Sequence, residues 1–392
     1  MKPPVIVSTA RTPFTRAFSG QLAGSSEFNL AKEAVRGAID RSGVDPRHID
    51  NIMLGEVYQG GGCIARYTAL DLGLPPDTPG VAIGGFCASG MLAIHHAVAS
   101  VRSGMSRCVI AGGVSSISQS KFVTPQFLQT GILEQECSPS HPGMGDAPVL
   151  DLVITLGEGT AKMFGLTRTE IDEWACRAHA LAVAAIELDL LDTEKVAVAT
   201  ENGEAFADEL PHRGLDLDLL ASMDSFLGPE FTVTVGNQTA LTDGAASAVI
   251  VDADFAAEQG LTPLAEIIGW SVKATEPDKA TAAAVASLRK AVDVAGIRLD
   301  DIDLYEIHDS YASIGLAFEK DLEIDRDLIN VYGGGLALGH PYAGSGTRVA
   351  GTLINALQRR GGGLGAGAIV GAGGVGASVV LNVLPHPTGS GS

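Results

Sequence analysis

Residues 84–102 read GGFCASGMLAIHHAVASVR, a glycine turn set between an extended apolar run and a helix. Val81, Ala82 and Ile83 read as the end of a buried strand, Gly84 and Gly85 permit a sharp turn, and Met91, Leu92, Ile94, Ala97, Val98 and Val101 recur at helical spacing. Cys87 therefore falls at the start of a helix. There the unpaired backbone N–H groups and the positive end of the helix dipole favour an anion, so a thiolate gains stability relative to a free cysteine of pKa about 8.5. The same donors suit the oxyanion that forms when a carbonyl is attacked. A cysteine in a small-residue turn also reads as a buried hydrophobe. What the rest of the chain brings to it decides between the two.

Outward from this turn the pattern alternates. Val5 to Ser8 reads as a strand, Phe28 to Arg41 as an amphipathic helix, Ile49 to Leu54 as a strand, and Cys108 to Ala111 as another, ending in Gly112 and Gly113. Strands alternating with helices at this spacing predict an α/β fold with a mostly parallel sheet covered on both faces. The second half repeats the first. AIDRSGV at 38–44 matches AVDVAGI at 291–297, an offset of 253, and Ile49-Asp50 falls on Ile302-Asp303 at the same offset. Ser89-Gly90 matches Ser345-Gly346 at 256, and AGGV at 111 matches AGGV at 372. Slowly growing offsets are what small insertions in a duplicated unit give, so two similar halves pack together.

Between them, Gln119 to Asp243 breaks the alternation. It holds helix candidates at Leu152 to Phe164 and Thr169 to Leu188, the second opened by Thr167 with Glu170 three residues on as a capping box, and it reads as an inserted surface subdomain that covers a site. The expected boundaries are 1–118 for the first half, 119–243 for the insertion, 244–262 returning to the first half, 263–385 for the second half, and 386–392 as a tail.

Composition limits the function. The 392 residues are 46% hydrophobic and 18% charged, with 49 glycines and a net charge of −20. That charge argues against nucleic acid and anionic membrane surfaces, and an anionic substrate needs a local basic patch. Cys63, Cys87, Cys108, Cys137 and Cys176 form no Cys-x-x-Cys pair, so neither a disulfide framework nor a metal site is indicated, and a reducing cytoplasm fits. The opening KPPVIVSTARTPF has too short an apolar run for a signal peptide. Residues 367–384 carry no charge, but their glycines mark two buried strands around a turn rather than a membrane span.

The duplication changes the reading of Cys87. The residue 253 positions on is His340, in LALGHPYAGSGT, so corresponding loops of the two halves place a cysteine opposite a histidine. That is the nucleophile and base pairing that makes a reactive sulfur near neutral pH. His308, in LYEIHDSYAS, ends a predicted strand nearby.

With VIVSTARTPF, FCASG, RCVIAGGVSSIS, TVTVGNQTALTDGAAS, YEIHDSYAS, GGGLALGHPYAGSGTR and IVGAGGVGAS in order, the chain resembles the thiolase family from end to end. The resemblance implies a five-layered αβαβα core of two similar halves, a loop domain that holds coenzyme A, and a homodimer or homotetramer. It implies no tightly bound cofactor, with coenzyme A thioesters as substrates. Cys87 matches the nucleophile that is acylated, and His340 the histidine that takes its proton. His308 stands where common thiolases have asparagine and the sterol-carrier type has histidine. The backbone N–H groups of Cys87 and Ala372 match the oxyanion hole, and Arg213 and Thr239 resemble coenzyme A contacts, a solvated arginine being the other reading of Arg213.

The chain also departs from the family. The second catalytic cysteine of common thiolases aligns with Val370, and that of the sterol-carrier type with Ser310. The histidine-Met-Gly stretch that usually opens the first loop-domain helix is Leu152-Val153-Ile154. Tyr342 or His141 stands in for the missing acid and base, or each is only a packing or loop residue. His95 and His96 read as structural, Cys176 and His179 as too few for a metal site, and Cys63 as packing, with the lining of a substrate channel as its other reading. The implied activity is an acyltransferase that makes or breaks a carbon–carbon bond through acyl-Cys87. The alternatives are a decarboxylative condensing enzyme using Cys-His-His, and an inactive acyl-CoA-binding subunit that needs a partner.

Overall fold

The structure, a computed structural model, describes residues 3–57, 60–120, 140–143 and 152–386. Cys137 lies outside these residues. The first half runs β1 (Val5–Arg11), β2 (Thr15–Arg16), α1 (Glu27–Ser42), β3 (Asn51–Gly55), α2 (Ile64–Asp71), β4 (Gly80–Ile83), α3 (Ser89–Arg102) and β5 (Cys108–Ser115). The insertion supplies α4 (Gly159–Phe164), α5 (Arg168–Glu187), the hairpin β6 (Val198–Thr200) and β7 (Gly203–Ala205), and α6 (Leu217–Ala221). After it, β8 (Thr242–Val251) and α7 (Ala253–Gln259) return to the first half. The second half is β9 (Ala265–Ala274), α8 (Ala280–Ala295), β10 (Leu304–His308), α9 (Ala312–Leu322), α10 (Gly334–Leu338), α11 (Ser345–Arg359), β11 (Gly363–Gly371) and β12 (Val375–Val383).

The internal repeat is structural. Helices α1 and α8 are both 16 residues long and start 253 positions apart, as do β3 and β10, while α3 and α11 start 256 apart. Local chemistry sets the helix ends. Ser26 caps α1 by accepting from the Asn29 N–H, and Gly43 closes it in the left-handed conformation. Thr167 and Glu170 form the reciprocal capping box that opens α5.

The sheet differs from the expected one. Among the described residues the strands run β10-β11-β12-β9-β1-β8-β5-β3-β4, with β2 on β8. Pairing is parallel only near the two ends, where β3 pairs with β4 and β5, and β10 with β11. The five pairs between are antiparallel. The mostly parallel expectation fails because β11 and β12 form a hairpin around residues 372–374, and an antiparallel pair needs no crossover helix. Strand β4 is also an edge rather than a buried strand, with Val81 43% exposed. The half-sheets join through two residues of β1 and β9, Val5 opposite Glu266 and Ile6 opposite Ala265.

Five layers result. Helix α1 covers β1 and β8, α8 covers β9 and β12, and α3 and α11 lie back to back between the half-sheets. Glycine permits that central contact. A Cβ on Gly90 would lie 2.4 Å from the Ala343 carbonyl oxygen, and one on Gly346 2.4 Å from the Met91 nitrogen. The two helices therefore approach backbone to backbone at their first turns, which brings the loops of Cys87 and His340 together. No helix among the described residues is long and apolar enough to cross a membrane.

Candidate active site

Cys87 sits in a single 3₁₀ turn, Phe86–Ala88, that runs straight into α3. Phe86 has φ of 48°, a left-handed conformation that is costly for an aromatic residue, and this bend turns Cys87 inward from the end of β4. The backbone N–H groups of Ala372 and of Cys87 itself are directed at Sγ. Ala372 reaches the sulfur because β11 ends against the turn: a Cβ on Gly371 would lie 3.1 Å from both the Ala88 Cβ and the Gly85 oxygen.

His340 arrives from the other half. Its Nε2 lies 3.0 Å from Cys87 Sγ, and its Nδ1 lies 2.7 Å from the Ser345 hydroxyl at the start of α11. With the thiol donating to Nε2, the imidazole proton resides on Nδ1 and the Ser345 oxygen accepts it, so Ser345 orients the ring. The His340 backbone N–H donates to the Thr242 hydroxyl at 3.0 Å, which fixes the loop on β8.

Burial decides the charge state. It pushes the Cys87 thiol up to about 12, against the two N–H groups that favour the thiolate, and pushes His340 down to about 3, with Arg348 adding to the effect. The resting thiolate expected from the helix terminus is therefore not what the site holds. Thiol and imidazole are both neutral, and the sulfur can become an anion only by passing its proton across the 3.0 Å contact to Nε2.

Beside them, the His308 ring centroid is 4.2 Å from that of His340. His308 Nδ1 lies 3.1 Å from an Arg348 guanidinium nitrogen, and Arg348 pairs with Glu306, two residues before His308 on the same face of β10. Burial raises Glu306 to about 7, opposed by Arg348, and raises Asp309 to about 6 although Trp174 Nε1 donates to it at 2.8 Å. His308 is lowered well below its ordinary value, first by burial and then by His340 and Arg348. His95 and His179 are likewise lowered by burial to about 4.

These groups set an acid sensitivity. A histidine neutral in the fold and charged when unfolded contributes stability that is fully present above about 6.5 and is lost as pH falls, at about 1.4 kcal/mol per pH unit each. His95, His179, His308 and His340 act in this sense. Glu306 and Asp309, raised, act in the opposite sense below about 7 and 6. Four groups against two leave a net loss of about 2–3 kcal/mol per unit near pH 5.5. Thermal melting at pH 7.5, 6.5 and 5.5 is expected to show a falling midpoint; a flat or rising one would mean that these imidazoles are not held neutral.

Cys87 and His340 open onto a cavity of about 400 Å³. Its walls are apolar at Leu152, Leu156, Val235 and Leu241, with hydroxyls from Thr239, Ser310 and Tyr342 and the Arg16 side chain among the polar groups. Leu152 and Leu156, four residues apart, lie on one face and share a wall, and the expected helix at 152–164 opens with a π-helical stretch, Val153–Glu158, before α4. Thr239 is thus at the site, its hydroxyl donating to the Gly335 oxygen at 2.9 Å. Arg213 is not on this wall: it is exposed and pairs with Glu187. Val370 is buried in β11, opposite Gly376, with no acid or base at that position. The Tyr342 ring packs edge-on to His340 at 5.1 Å, and His141 Nδ1 lies 2.7 Å from its neighbour Ser140.

Other candidates lie apart. His95 Nε2 donates to the Ser378 oxygen, His179 Nδ1 accepts from the His212 N–H, His96 and Cys63 are exposed, and Cys176 is half-buried. Reading the sequence for reactive residues missed Ser345, Arg16 and the Glu306–Arg348 pair. The signal for the pair was faint but present: an acid two residues before His308 on a strand, and an arginine three residues into α11, within its first turn.

Comparisons with known proteins agree with this architecture. The thiolase N-terminal domain family matches residues 4–254 and the thiolase C-terminal domain family residues 261–383. The acetyl-CoA acetyltransferase of Escherichia coli (strain K12) is 32% identical, covering 98% of this chain and 100% of the relative. The mitochondrial 3-ketoacyl-CoA thiolase of Bos taurus is 31% identical over 96% of this chain and 97% of its own length. The crystal structure of the Bacillus anthracis acetyl-CoA acetyltransferase superposes with a TM-score of 0.88 at 31% identity, covering 98% and 99% of the two chains. With both family domains matched in order along one duplicated five-layered core, the chain belongs to the thiolase family.

Proposed function

We propose that this chain is an acyltransferase of the acetyl-CoA C-acyltransferase type. The carrying observation is the 3.0 Å contact of Cys87 Sγ with His340 Nε2 at the wall of a 400 Å³ cavity. Sulfur attacks the thioester carbonyl carbon as its proton passes to His340 Nε2, and the N–H groups of Cys87 and Ala372 hold the oxyanion. The bond to the coenzyme A sulfur then breaks, that sulfur takes the proton from His340, and acyl-Cys87 remains. His340, neutral again, takes the α-proton of a second acyl-CoA on Nε2, the resulting carbanion attacks the acyl carbon, and as the carbon–carbon bond forms the carbon–sulfur bond breaks and Cys87 Sγ recovers that proton; thiolysis is the reverse. In this reading His308 serves the same centre, and residues 119–243 hold coenzyme A with Thr239 and Arg213 as contacts. No tightly bound cofactor is required, and the chain works in the cytoplasm as a homodimer or homotetramer, which the exposed Val81, Tyr67 and Leu70 beside the sheet edge support.

Val370 favours a second reading, in which the carbanion arises by loss of carbon dioxide rather than by a cysteine base. Intact-mass measurement after incubation with acetyl-, longer acyl- and malonyl-CoA tests both. An adduct with saturated acyl-CoA plus cleavage of acetoacetyl-CoA by free coenzyme A supports the first, and turnover only with the malonyl donor supports the second. No adduct with any of them removes both and leaves an acyl-CoA-binding subunit.

A further inference from the structure

Glu306 and Arg348 are 2% and 1% exposed, and neither lines the cavity. A buried ion pair is weak evidence of stability, because desolvation offsets most of the attraction. What this pair does show is a constraint on its neighbour. A guanidinium has donors and no acceptor, and one of its nitrogens lies 3.1 Å from His308 Nδ1. Only an unprotonated Nδ1 can receive that bond, so the His308 proton must be on Nε2. Nε2 is buried and has no hydrogen-bond partner among the described residues. A buried donor left unmatched is uncommon, because it has given up its hydration with nothing in return. The ring is also held from beside: a Cβ on Gly335 would lie 2.3 Å from Nδ1 and 2.5 Å from Cε1, so only a glycine backbone fits against it.

We propose that Arg348, held by Glu306, is a positioning residue that fixes His308 as the Nε2–H tautomer, so that this imidazole serves the site only as a hydrogen-bond donor to a substrate oxygen beside Cys87. The two stacked imidazoles are thereby held in opposite tautomers. The Ser345 oxygen accepts a hydrogen bond from Nδ1–H of His340 and so leaves its Nε2 as a base, while Arg348 donates to Nδ1 of His308 and leaves its Nε2 as a donor. The identity of the acceptor, a thioester or ketone oxygen, rests on the acyltransferase reading; the tautomer does not.

The test begins with the wild type, labelled with nitrogen-15 at histidine. Two-bond proton–nitrogen spectra, with the His308 signal identified by its loss in His308→Asn, should show an unprotonated Nδ1 and a protonated Nε2, unchanged between about pH 6 and 8. A protonated Nδ1, or an average of both tautomers, overturns the proposal. Removing both charges together, Glu306→Gln with Arg348→Met, should mix the tautomers and lower kcat about tenfold, with KM for acyl-CoA nearly unchanged. In the His308→Asn background the same pair of changes should cost less than about twofold more, because a carboxamide carries N–H donors whatever stands at 348. Equal losses in both backgrounds would show a merely structural role and overturn the proposal. Should that variant not fold, Arg348→Lys, also donor-only, should keep the wild-type tautomer, and loss of it counts against the proposal. Failure of the acyltransferase reading shows separately, as absence of an adduct on Cys87 with the tautomer intact.

Discussion

Cys87→Ala is expected to leave no acyl adduct on the protein and to lower turnover by about 10⁴-fold or more, the scale seen when a covalent nucleophile is removed. The fold should survive. Cys87 is a small side chain with 5% exposure, and alanine removes a single sulfur from a turn held by backbone contacts to β11 and α11. Intact mass after incubation with acyl-CoA, beside a thermal melt, separates loss of chemistry from loss of structure. An undiminished adduct on the alanine variant would place the acyl group elsewhere and end the account built on this residue. Cys87→Ser is expected to acylate far more slowly than the wild type, because the hydroxyl is the weaker acid and nucleophile in the same buried position.

His340→Ala is expected to slow acylation by about 10²- to 10⁴-fold, the contribution of a positioned general base. Its more telling mark is the pH profile. The wild-type pair is neutral, so acylation should vary little across the range in which both groups keep their protons. Without the imidazole the thiol, pushed up to about 12, must ionise unaided, and the thiolate fraction then rises about tenfold for each pH unit. Single-turnover acylation of the alanine variant should therefore climb steeply from neutral pH to pH 9. A pH-independent residual rate would mean that some other group takes the proton. Ser345→Ala should show a weaker form of the same defect, since it leaves the base in place and removes only the oxygen that orients it.

Much of the architecture is legible in the chain itself. The glycine turn before Met91, the capping box of Thr167 and Glu170, and the charge-free stretch at 367–384 are short-range signals, and each became the element it predicted. The offset of 253 did more, because duplicated halves must pack by related contacts. It placed residue 87 opposite residue 340 before any distance was known. Strand direction was not legible, since β12 returns by a three-residue turn whose sequence looks like any other glycine loop. The π-helical opening of the helix at 153 was equally silent.

By itself, then, the sequence determined the repeat, the alternation of elements and the identity of the two residues that meet across the halves. Those properties follow from local backbone preference and from internal homology, which are written residue by residue. Only the tertiary structure decided that the thiol and imidazole rest neutral, that Arg213 faces solvent while Thr239 lines the cavity, and that Arg348 reaches His308. Charge state and tautomer depend on how much water is excluded and which donor stands at each nitrogen. Both are set when segments distant in the chain close around the same few ångströms.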